Sequence, residues 1–387
     1  MKKKIAILGS TGSIGKSTLD IVRKDRNNFD VVFLSANRSY KKLIEQAKEF
    51  NVKNVLIYNE SFFSKVKFAL RKSTTNVFTN NTNISNIISG KVDYTMSGIV
   101  GIAGLQPTVD AVKVSKILAI ANKETIICAW HILLNLKKKY NTKIVPVDSE
   151  HFSILELTKN FNNDEIKEII ITASGGPFLN TEIKKLKNIK PNQATKHPTW
   201  KMGKKISVDS ATMMNKVFEV LEAYKLFGFK KTKYRIMIHP QSYVHSIVHF
   251  KNGLVKMILY NPDMRIPIFN ILYKKKNHYL NFPNIESKIL NKLNFYDVNI
   301  KNFPSIKLID KCFNLGFSTP IIVNASNEVL VDLFLNKKIG YLDIIKTINK
   351  VFIDKEFKKY ARRKAKTVND IKNIDNWARL KTKDISV

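Results

Sequence analysis

The chain begins with a short apolar strand, a glycine-rich turn and a helix, in that order. Residues 4 to 8 read KIAIL, residues 9 to 15 read GSTGSIG, and the next nine residues continue with helical periodicity. The glycines follow a G-x-x-G-x-x-G spacing, which lets the backbone approach a pyrophosphate at the N-terminus of the helix. A glycine turn alone is weak evidence, but a second strand follows the helix at the distance of a βαβ unit. We therefore predict that the N-terminal part binds a dinucleotide.

Apolar, strand-like segments alternate with helical ones over the first part of the chain. They are VVFLSA (31–36), NVLIY (54–58), VDYTMSG (92–98), KILAIANKE (116–124) and KIVPVDSEH (143–151). Repeated strand–helix units predict a parallel, doubly wound sheet of the Rossmann type. Ligands of such sheets lie beyond the carboxyl ends of the strands. The polar residues expected there are Ser97, Asn122, Lys123, Glu124, Asp148 and Glu150.

The end of the second strand indicates which dinucleotide is bound. A site for NAD would place an acid there to hold the ribose hydroxyls, but this chain has Asn37 and Arg38. A cation at this position suits the 2′-phosphate of NADP. The alternative is that Arg38 is one more surface cation in a basic protein. Its position in the motif leads us to favour NADP.

The net charge is large and positive, because 66 Lys and Arg residues outnumber 31 Asp and Glu residues to give +35. The lysines are spread along the whole chain, which predicts a solvated surface rather than a tract that binds nucleic acid. An anionic substrate would still be attracted. Cys128 and Cys312 cannot form a disulfide framework, which predicts a reducing, cytoplasmic compartment. No apolar run approaches the length of a membrane span, so neither nucleic acid nor a membrane is expected as a partner.

The segment KKISVDSATMMNKVFEVLEA, residues 204 to 223, loads one helix start with polar side chains. Asn215 and Glu219 are one turn apart on the same face, with Lys216 beside them. Such a group suits an anionic substrate that also carries a metal ion. The alternative, which the pattern leaves equally open, is a solvated helix with Ser210 as its N-cap and Lys216 and Glu219 as a surface pair.

Two acids follow the apolar strand IVPV. Alternation along an extended chain would put Asp148 and Glu150 on the same side. Together with Glu219 they would form an all-oxygen site that selects Mg²⁺ or Mn²⁺, with Co²⁺ as a further candidate. The alternative is that the two acids cap the next helix or are simply exposed. No Cys or His spacing supports zinc.

Two loops are predicted to complete the site. The strand EIIITASGG (168–176) ends in Ser174 and two glycines, whose small size permits contact with a phosphate. Residues 194 to 207, ATKHPTWKMGKKIS, have the composition of a mobile lid over a ligand. A structural loop held by a buried Trp200 is the alternative.

Residues 235 to 260 are predicted to form two alternating strands around an Asn252-Gly253 turn. His245 and His249 lie on one of these strands. We interpret both as sheet residues, because no third metal ligand accompanies them.

Eight motifs occur in order along the chain: GSTGSIG, ANKE, PVDSEH, SGGPF, HPTWKMGKKISVDSATMMNK, HPQSYVHS, PDMR and NASNE. Together they closely resemble the 1-deoxy-D-xylulose 5-phosphate reductoisomerase family, the NADPH enzymes of the methylerythritol phosphate route to isoprenoids. The resemblance runs from about residue 4 to about residue 345, and the remaining residues match only as a helical tail. The chain has Asn37-Arg38-Ser39 where the family often has Gly-Lys-Asn or similar, but the cation is kept.

The resemblance implies a role for each of several residues. Contact with NADPH would involve Thr11, Gly12, Ser13, Ile14, Asn37, Arg38, Asn122, Glu124 and Gly203. The metal ligands would be Asp148, Glu150 and Glu219. The sugar phosphate would be surrounded by Lys123, Ser149, Glu150, Ser174, His197, Ser210, Asn215, Lys216 and Glu219, with Trp200 and Met202 in the closing lid. The catalytic residues would be Lys123, Asp148, Glu150, His197 and Glu219.

The resemblance also implies a two-step reaction and a homodimer. The carbon skeleton of 1-deoxy-D-xylulose 5-phosphate would rearrange to a branched aldehyde phosphate, which NADPH would reduce to 2-C-methyl-D-erythritol 4-phosphate. The predicted α/β architecture has a Rossmann-type domain (1–150), an α+β catalytic domain (151–285) containing the lid, a linker (286–305) and a C-terminal α-helical domain (306–387).

Two other functions fit the sequence less well. A semialdehyde dehydrogenase would act through a cysteine nucleophile, but Cys128 lies in a predicted helix with no neighbouring base. A nucleic-acid-binding module would be supported by charge alone.

Overall fold

The structure is a computed structural model and describes residues 1–200, 202–273 and 281–386. The lysine run 274–276, the start of the charge-rich segment 274–303 and residue 201 of the predicted lid lie outside the described residues. The strands are β1 (Lys3–Leu8), β2 (Phe29–Ala36), β3 (Asn54–Ile57), β4 (Asn76–Thr79), β5 (Val92–Ser97), β6 (Ser115–Ile120), β7 (Lys143–Pro146), β8 (Ile166–Ala173), β9 (Tyr234–Ile238), β10 (Val244–Phe250), β11 (Val255–Leu259) and β12 (Tyr296–Asp297).

The helices follow the strands in regular alternation at first and dominate the C-terminal part. They are α1 (Ser13–Lys24), α2 (Tyr40–Glu49), α3 (Phe63–Ala69), α4 (Ile84–Ile87), α5 (Leu105–Lys113), α6 (Lys123–Tyr140), α7 (Ser149–Thr158), α8 (Ile183–Leu186), α9 (Pro191–Ala194), α10 (Lys204–Ala211), α11 (Met214–Phe227), α12 (Arg265–Leu272), α13 (Ser287–Leu290), α14 (Leu308–Asn314), α15 (Thr319–Leu335), α16 (Asp343–Val351), α17 (Phe357–Ala361) and α18 (Val368–Ser386). The predicted α/β class, with a helical C-terminal region, is confirmed.

Seven parallel strands form the first sheet in the order β4-β3-β2-β1-β5-β6-β7. The chain winds outward in both directions from β1 and β5, so the switch point of this Rossmann-type sheet lies between these two strands. Gly9 follows β1 with φ +77°, and a Cβ on it would lie 3.0 Å from the carbonyl oxygen of Gly98 after β5. Glycine is therefore required where the two strand ends approach each other.

The second sheet has the order β11-β10-β8-β9-β12, with β8 and β9 parallel and the other pairs antiparallel. Residues 235 to 260 contribute three strands, so the prediction of two strands is wrong. Pro240 cannot donate to a ladder and Ser242 has φ +58°, and this loop separates β9 from the β10–β11 hairpin. The hairpin turn at Asn252-Gly253 is confirmed, with Gly253 at φ +88°. His245 and His249 lie in β10 as expected.

Packing divides the described chain into two compact units. The first contains residues 1–125, 129–148 and the described residues after 263 as far as 273, and the second contains 126–128, 149–263 and the described residues from 281. The first unit therefore combines an N-terminal stretch that runs to residue 148 with a later segment that begins at residue 264. The segment 286–305 contains α13 and β12, and β12 extends the second sheet by pairing with β9. The three-part division with a linker there stays a prediction.

Two structural findings concern the cysteine nucleophile and the membrane span considered from the sequence. Cys128 and Cys312 are both buried, neither is in a disulfide bond, and burial raises the pKa of the Cys312 thiol. Buried thiols of this kind are poor nucleophiles. Among the helices of the described residues, none combines the length and the apolar character needed to cross a bilayer.

Candidate active site

Two helices, not one, carry the polar residues of segment 204–223. α10 ends at Ala211 and α11 begins at Met214, and between them Met213 adopts a left-handed conformation with φ +60°. The prediction of one helix start with Ser210 as a possible N-cap is therefore wrong. Ser210 lies in the last turn of α10, whereas Asn215 and Lys216 lie in the first turn of α11.

The break has an identifiable cause. In a continuous helix the carbonyls of Ala211 and Thr212 would accept from backbone N–H groups four residues later. Here the Tyr341 hydroxyl donates to the carbonyl of Ala211 at 2.6 Å, and the Ser305 hydroxyl donates to that of Thr212 at 2.5 Å. Side chains that are remote in sequence thus replace the helical hydrogen bonds at this point.

Lys216 lies between two carboxylates in the interior. Its ammonium donates to Glu219 Oε2 at 2.5 Å and also to Glu150, and Lys216 and Glu219 are 6% and 0% exposed. The alternative of a surface pair is therefore wrong. Burial on its own would lower the Lys216 pKa, but the Glu150 and Glu219 charges outweigh burial and raise the pKa. Asn215 donates its amide to Glu219 Oε1, so one turn of α11 orients the Glu219 carboxylate.

Glu150 reaches this cluster from the first turn of α7, not from an extended chain. The alternation argument for Asp148 and Glu150 is wrong in its premise, because the helix begins at Ser149. The start of α7 is fixed by two hydroxyls: Tyr260 donates to the carbonyl of Ser149 at 2.9 Å, and Ser246 donates to the carbonyl of Glu150 at 3.0 Å. These bonds set the position of the Glu150 side chain.

Lys123 and Asp148 follow neighbouring parallel strands. Lys123 begins α6 shortly after β6, Asp148 comes two residues after β7, and the Lys123 ammonium donates to the Asp148 carboxylate. Both residues were expected at the carboxyl edge of the sheet. The structure pairs them there.

The three acids expected to hold a metal ion are near one another. One oxygen from each of Asp148, Glu150 and Glu219 lies within 4.8 Å of the other two, and Asp148 is joined to α7 directly through its peptide bond with Ser149. Three carboxylates this close repel one another unless cations offset their charge. Lys123 and Lys216 supply two ammonium groups. The oxygen-only donor set matches a hard divalent cation, and its role as a metal site stays a prediction.

His197 and Ser174 form a pair of hydroxyl and imidazole. His197 Nδ1 accepts from the backbone N–H of Trp200 at 2.9 Å and of Thr199 at 3.2 Å, and its Nε2 lies 2.9 Å from Ser174 Oγ. Since Nδ1 accepts, the ring proton is on Nε2, which donates to Ser174. Burial and, secondarily, the Lys216 charge lower the His197 pKa to about 4, so the ring is neutral at pH 7.

The hydroxyl of Ser174 is thereby left as a donor. Its oxygen accepts from His197 and also from the backbone N–H of Gly176 at 3.1 Å. The O–H bond must then point away from both donors. A hydroxyl donor whose direction is fixed in this way is suited to binding an anion.

Gly176 brings the Ser174 loop against the end of α10. It has φ +67°, and a Cβ there would lie 2.9 Å from the carbonyl oxygen of Ser210. The small residues after β8 were expected to permit contact with a phosphate. The structure gives them a second reason, which is close packing of two backbones that carry Ser174 and Ser210.

The predicted lid is partly helical. Its last four residues, 204–207, belong to α10, and Gly203 is the exposed N-cap of that helix. Trp200 is half-buried, and its ring lies edge-on to that of His245 at 5.9 Å. His245 in turn stacks on Tyr260 at 4.1 Å. Mobility of the lid stays a prediction.

The residues expected to contact the cofactor differ in how they are engaged. Gly12 is the N-cap of α1 without a side-chain cap, and Thr11 to Ile14 are all at least partly exposed. Asn37 and Arg38 are exposed directly after β2. Asn122 is buried and caps α6, since its Oδ1 accepts from the N–H of Thr125 at 2.7 Å.

Comparison with known proteins identifies the family. The family model described as 1-deoxy-D-xylulose 5-phosphate reductoisomerase matches residues 5–130, the one for its C-terminal domain matches 144–227, and the DXP reductoisomerase C-terminal domain model matches 259–381. The 1-deoxy-D-xylulose 5-phosphate reductoisomerase of Pelagibacter ubique (strain HTCC1062) is 45% identical over 387 residues, covering 100% of both chains. The chain belongs to the 1-deoxy-D-xylulose 5-phosphate reductoisomerase family. The Zymomonas mobilis (strain ATCC 31821 / ZM4 / CP4) enzyme of this name is 36% identical over 378 residues, which are 98% of this chain and 96% of that one.

Solved reductoisomerase structures share the whole fold. The Zymomonas mobilis reductoisomerase in complex with NADPH has a TM-score of 0.91 at 35% identity, covering 100% of this chain and 99% of that one. A reductoisomerase in complex with NADPH, fosmidomycin and magnesium has a TM-score of 0.93 at 31% identity, covering 99% of this chain and 98% of that one.

Two buried residues behind the site of this reductoisomerase family member, His151 and Glu222, were not assigned a role from the sequence. His151 Nε2 lies 2.9 Å from the carbonyl oxygen of Glu219, and His151 Nδ1 lies 3.4 Å from Glu222 Oε2. Both side chains are fully buried. A sequence signal existed for Glu222, because it is a second acid three residues after Glu219 on the same face of α11, within the apolar stretch that follows Lys216.

Proposed function

We propose that this chain converts 1-deoxy-D-xylulose 5-phosphate to 2-C-methyl-D-erythritol 4-phosphate by rearrangement and reduction, using NADPH and a divalent cation. The observation that carries the proposal is the cluster of partly buried Glu150 with buried Lys216 and Glu219, which brings two carboxylates and an ammonium together. Full-length identity of 45% to a named reductoisomerase supports the same reaction. The site therefore serves an anionic, metal-chelating sugar derivative.

The phosphate of the substrate would be bound where α10, α11 and the loop after β8 meet. Ser174 offers its constrained O–H, and Ser210 and Asn215 flank the break between the two helices. An ammonium has three N–H donors. Glu150 and Glu219 accept two from Lys216, so one is left for the phosphate.

The proposed metal ligands are Asp148, Glu150 and Glu219, and the oxygen-only donor set fits Mg²⁺, Mn²⁺ or Co²⁺. Such an ion polarises a carbonyl and offsets the negative charge that develops in the rearrangement. The residues contribute preorganisation: Asn215 and Lys216 orient Glu219, and Ser246 fixes the start of α7 behind Glu150. Lys123 holds Asp148 and is proposed to face the substrate hydroxyls together with Ser149.

NADPH would lie at the switch point of the first sheet and supplies the hydride for the reduction. The backbone of Thr11 to Ile14 would surround the pyrophosphate at the uncapped start of α1. The tight turn fits this role, because Gly12 N–H donates back to the carbonyl of Gly9 at 3.0 Å. Asn122 would act indirectly by holding the carbonyl of Gly101 at 2.9 Å. Glu124 and Gly203 complete the proposed cofactor set.

His197 and the lid would exclude water from the substrate. A neutral His197 keeps Ser174 oriented and adds no charge beside Lys216. Trp200 and Met202 are proposed to cover the ligand when the phosphate has been bound. Binding energy from the phosphate would in this way favour closure and raise the rate of the chemical step.

The test of the function is NADPH oxidation by the purified full chain with 1-deoxy-D-xylulose 5-phosphate. Turnover is expected with Mg²⁺ or Mn²⁺, and chelation should abolish it. The product should be identified as 2-C-methyl-D-erythritol 4-phosphate by NMR. Absence of metal-dependent oxidation, with the protein folded, would exclude the proposal.

Arg38 provides a prediction about the cofactor. Arg38→Asp should lower kcat/KM for NADPH by about tenfold or more, because one charge-assisted contact to phosphate is worth about 1.5–3 kcal/mol. Activity with NADH should change little. Ser39→Ala, next to it and also exposed, serves as the control. Equal kcat/KM for NADPH and NADH in the unaltered enzyme would contradict the assignment.

A homodimer is also proposed, with the edge strand β11 as the contact between the two copies. Val255 and Met257 on this strand are 51% and 45% exposed, and Leu254 just before it is 52% exposed. An exposed apolar edge strand pairs readily with another strand. Sedimentation equilibrium should give twice the mass of one chain, and Val255→Lys should give monomers. A monomeric unaltered protein at micromolar concentration would overturn this proposal.

A cytoplasmic location is retained as a proposal. It rests on Cys128 and Cys312, which are buried thiols in the described structure, and on the rarity of reduced cysteine pairs in oxidising compartments.

A further inference from the structure

The junction between α10 and α11 is held by side chains from outside both helices. The last carbonyls of a helix have no partner within it. Those of Ala211 and Thr212 accept from Tyr341 at 2.6 Å and Ser305 at 2.5 Å, and both donor residues are buried. The helix end is therefore capped by two hydroxyls that come from the C-terminal part of the second unit.

A third buried contact, from α15, holds the C-terminal end of α10. Asn327 in α15 donates its amide to Asp209 Oδ1 at 2.7 Å, and Lys205 pairs with the other carboxylate oxygen at 2.9 Å. Asp209 and Asn327 are 2% and 0% exposed. Asp209 is the residue before Ser210, so this contact fixes the turn of α10 that carries the Ser210 hydroxyl.

Tyr341 joins the junction to the Ser174 loop as well. Its ring lies edge-on to Phe178 at 5.3 Å, and Phe178 follows Gly176 by two residues. Burial raises the pKa of Tyr341, so the phenol remains protonated and continues to donate. One side chain thus contacts both backbone segments whose serines are assigned to the phosphate.

We propose that Tyr341, Ser305 and Asn327 are positioning residues for the phosphate-binding part of the site. The inference rests on the proposed function. Ser210 belongs to α10, whereas Asn215 and Lys216 belong to α11, so the distance between these donors depends on the angle at residues 212 and 213. A left-handed Met213 is strained, and the three remote side chains keep the junction in this conformation.

Deletion of hydroxyl groups tests the proposal without opening a cavity. Tyr341→Phe, Ser305→Ala and the double variant would be compared with Tyr234→Phe. Tyr234 is a matched control, since its buried hydroxyl has no hydrogen-bond partner within the described residues. Each protein would be assayed as the full chain, about 15 °C below its own melting temperature.

Two measurements separate positioning from simple stability. The inhibition constant of inorganic phosphate against the sugar phosphate, and its dissociation constant from the free protein by calorimetry, should both rise about tenfold in the double variant, a change of 1.4 kcal/mol. The KM for NADPH should stay within about twofold of the unaltered enzyme. Tyr234→Phe should leave every value unchanged.

Three outcomes decide the matter. Weaker phosphate binding with an unchanged KM for NADPH supports the proposal. A lower melting temperature with unchanged phosphate binding overturns it, and the single Tyr341→Phe variant decides if the double variant does not fold. Failure of the unaltered enzyme to turn over the sugar phosphate would count against the proposed function, whereas the calorimetric phosphate measurement would still report on the junction.

Discussion

Replacing Glu219 with glutamine is expected to lower kcat by at least about a thousandfold, or about 4 kcal/mol, while NADPH binding stays nearly intact. Glu219 is fully buried and accepts from both Lys216 and Asn215. The amide would remove one of the three proposed anionic metal ligands and leaves the Lys216 ammonium with one carboxylate. The cofactor residues belong largely to the first unit. Steady-state kinetics with Mn²⁺ and a fluorescence titration of NADPH measure the two quantities.

Glu222→Gln is the matched control for Glu219→Gln. It makes the same isosteric change at another fully buried acid of the same helix, outside the three-carboxylate cluster. It should lower the melting temperature but keep metal-dependent turnover. Chelation of the unaltered enzyme should reproduce the Glu219→Gln result. Persistent activity after metal removal would mean that the three-carboxylate assignment is wrong.

Lys216→Met is expected to lower kcat/KM for the sugar phosphate by about a hundredfold. Loss of a charge-assisted contact to phosphate accounts for about 1.5–3 kcal/mol. The loss should fall on kcat as well as KM, because phosphate binding is proposed to favour closure of the lid. The same substitution leaves Glu150 and Glu219 without the cation between them. The affinity for Mn²⁺, measured by electron paramagnetic resonance, should therefore rise while the affinity for phosphate falls.

Stability should change together with activity in Lys216→Met. Removing one partner of a buried ion pair costs about 3–5 kcal/mol, and added Mg²⁺ should restore part of the lost melting temperature. Lys225→Met, on the same helix and only half-buried, is the control and should keep both metal and phosphate affinity. A fall in kcat/KM of less than about threefold, well under the tenfold that 1.4 kcal/mol represents, would show that Lys216 does not bind the substrate phosphate.

The features that depend on local sequence could be predicted. The strand, glycine turn and helix at residues 4 to 24, and the repeated strand–helix units after it, follow from periodicity and from backbone freedom at glycine. The position of Lys123 and Asp148 at one sheet edge follows from the same regularity, because parallel strands end at one edge. The sequence also singles out Asp148, Glu150 and Glu219 as candidate oxygen ligands, although Glu150 and Glu219 lie on helices α7 and α11 rather than on an extended chain.

The features that depend on distant contacts could not be predicted. The break at Thr212 and Met213 is set by Ser305 and Tyr341, which lie 93 and 130 residues from the carbonyls they contact. Helix propensity alone does not predict that a helix ends at these residues. Likewise, β9 is separate from the following hairpin because it pairs with β8 and with β12. No local sequence pattern predicts which strands it pairs with.

The Lys216 ammonium between Glu150 and Glu219 has a consequence for how the enzyme folds and becomes active. Many metal centres fold only when the ion binds, and carboxylates held close together without a cation repel one another. Here a covalently attached internal counterion already offsets much of that repulsion. The chain can thus reach its native state before it meets a divalent ion, and scarcity of the ion should leave a reserve of intact, inactive protein that regains activity when the ion is supplied.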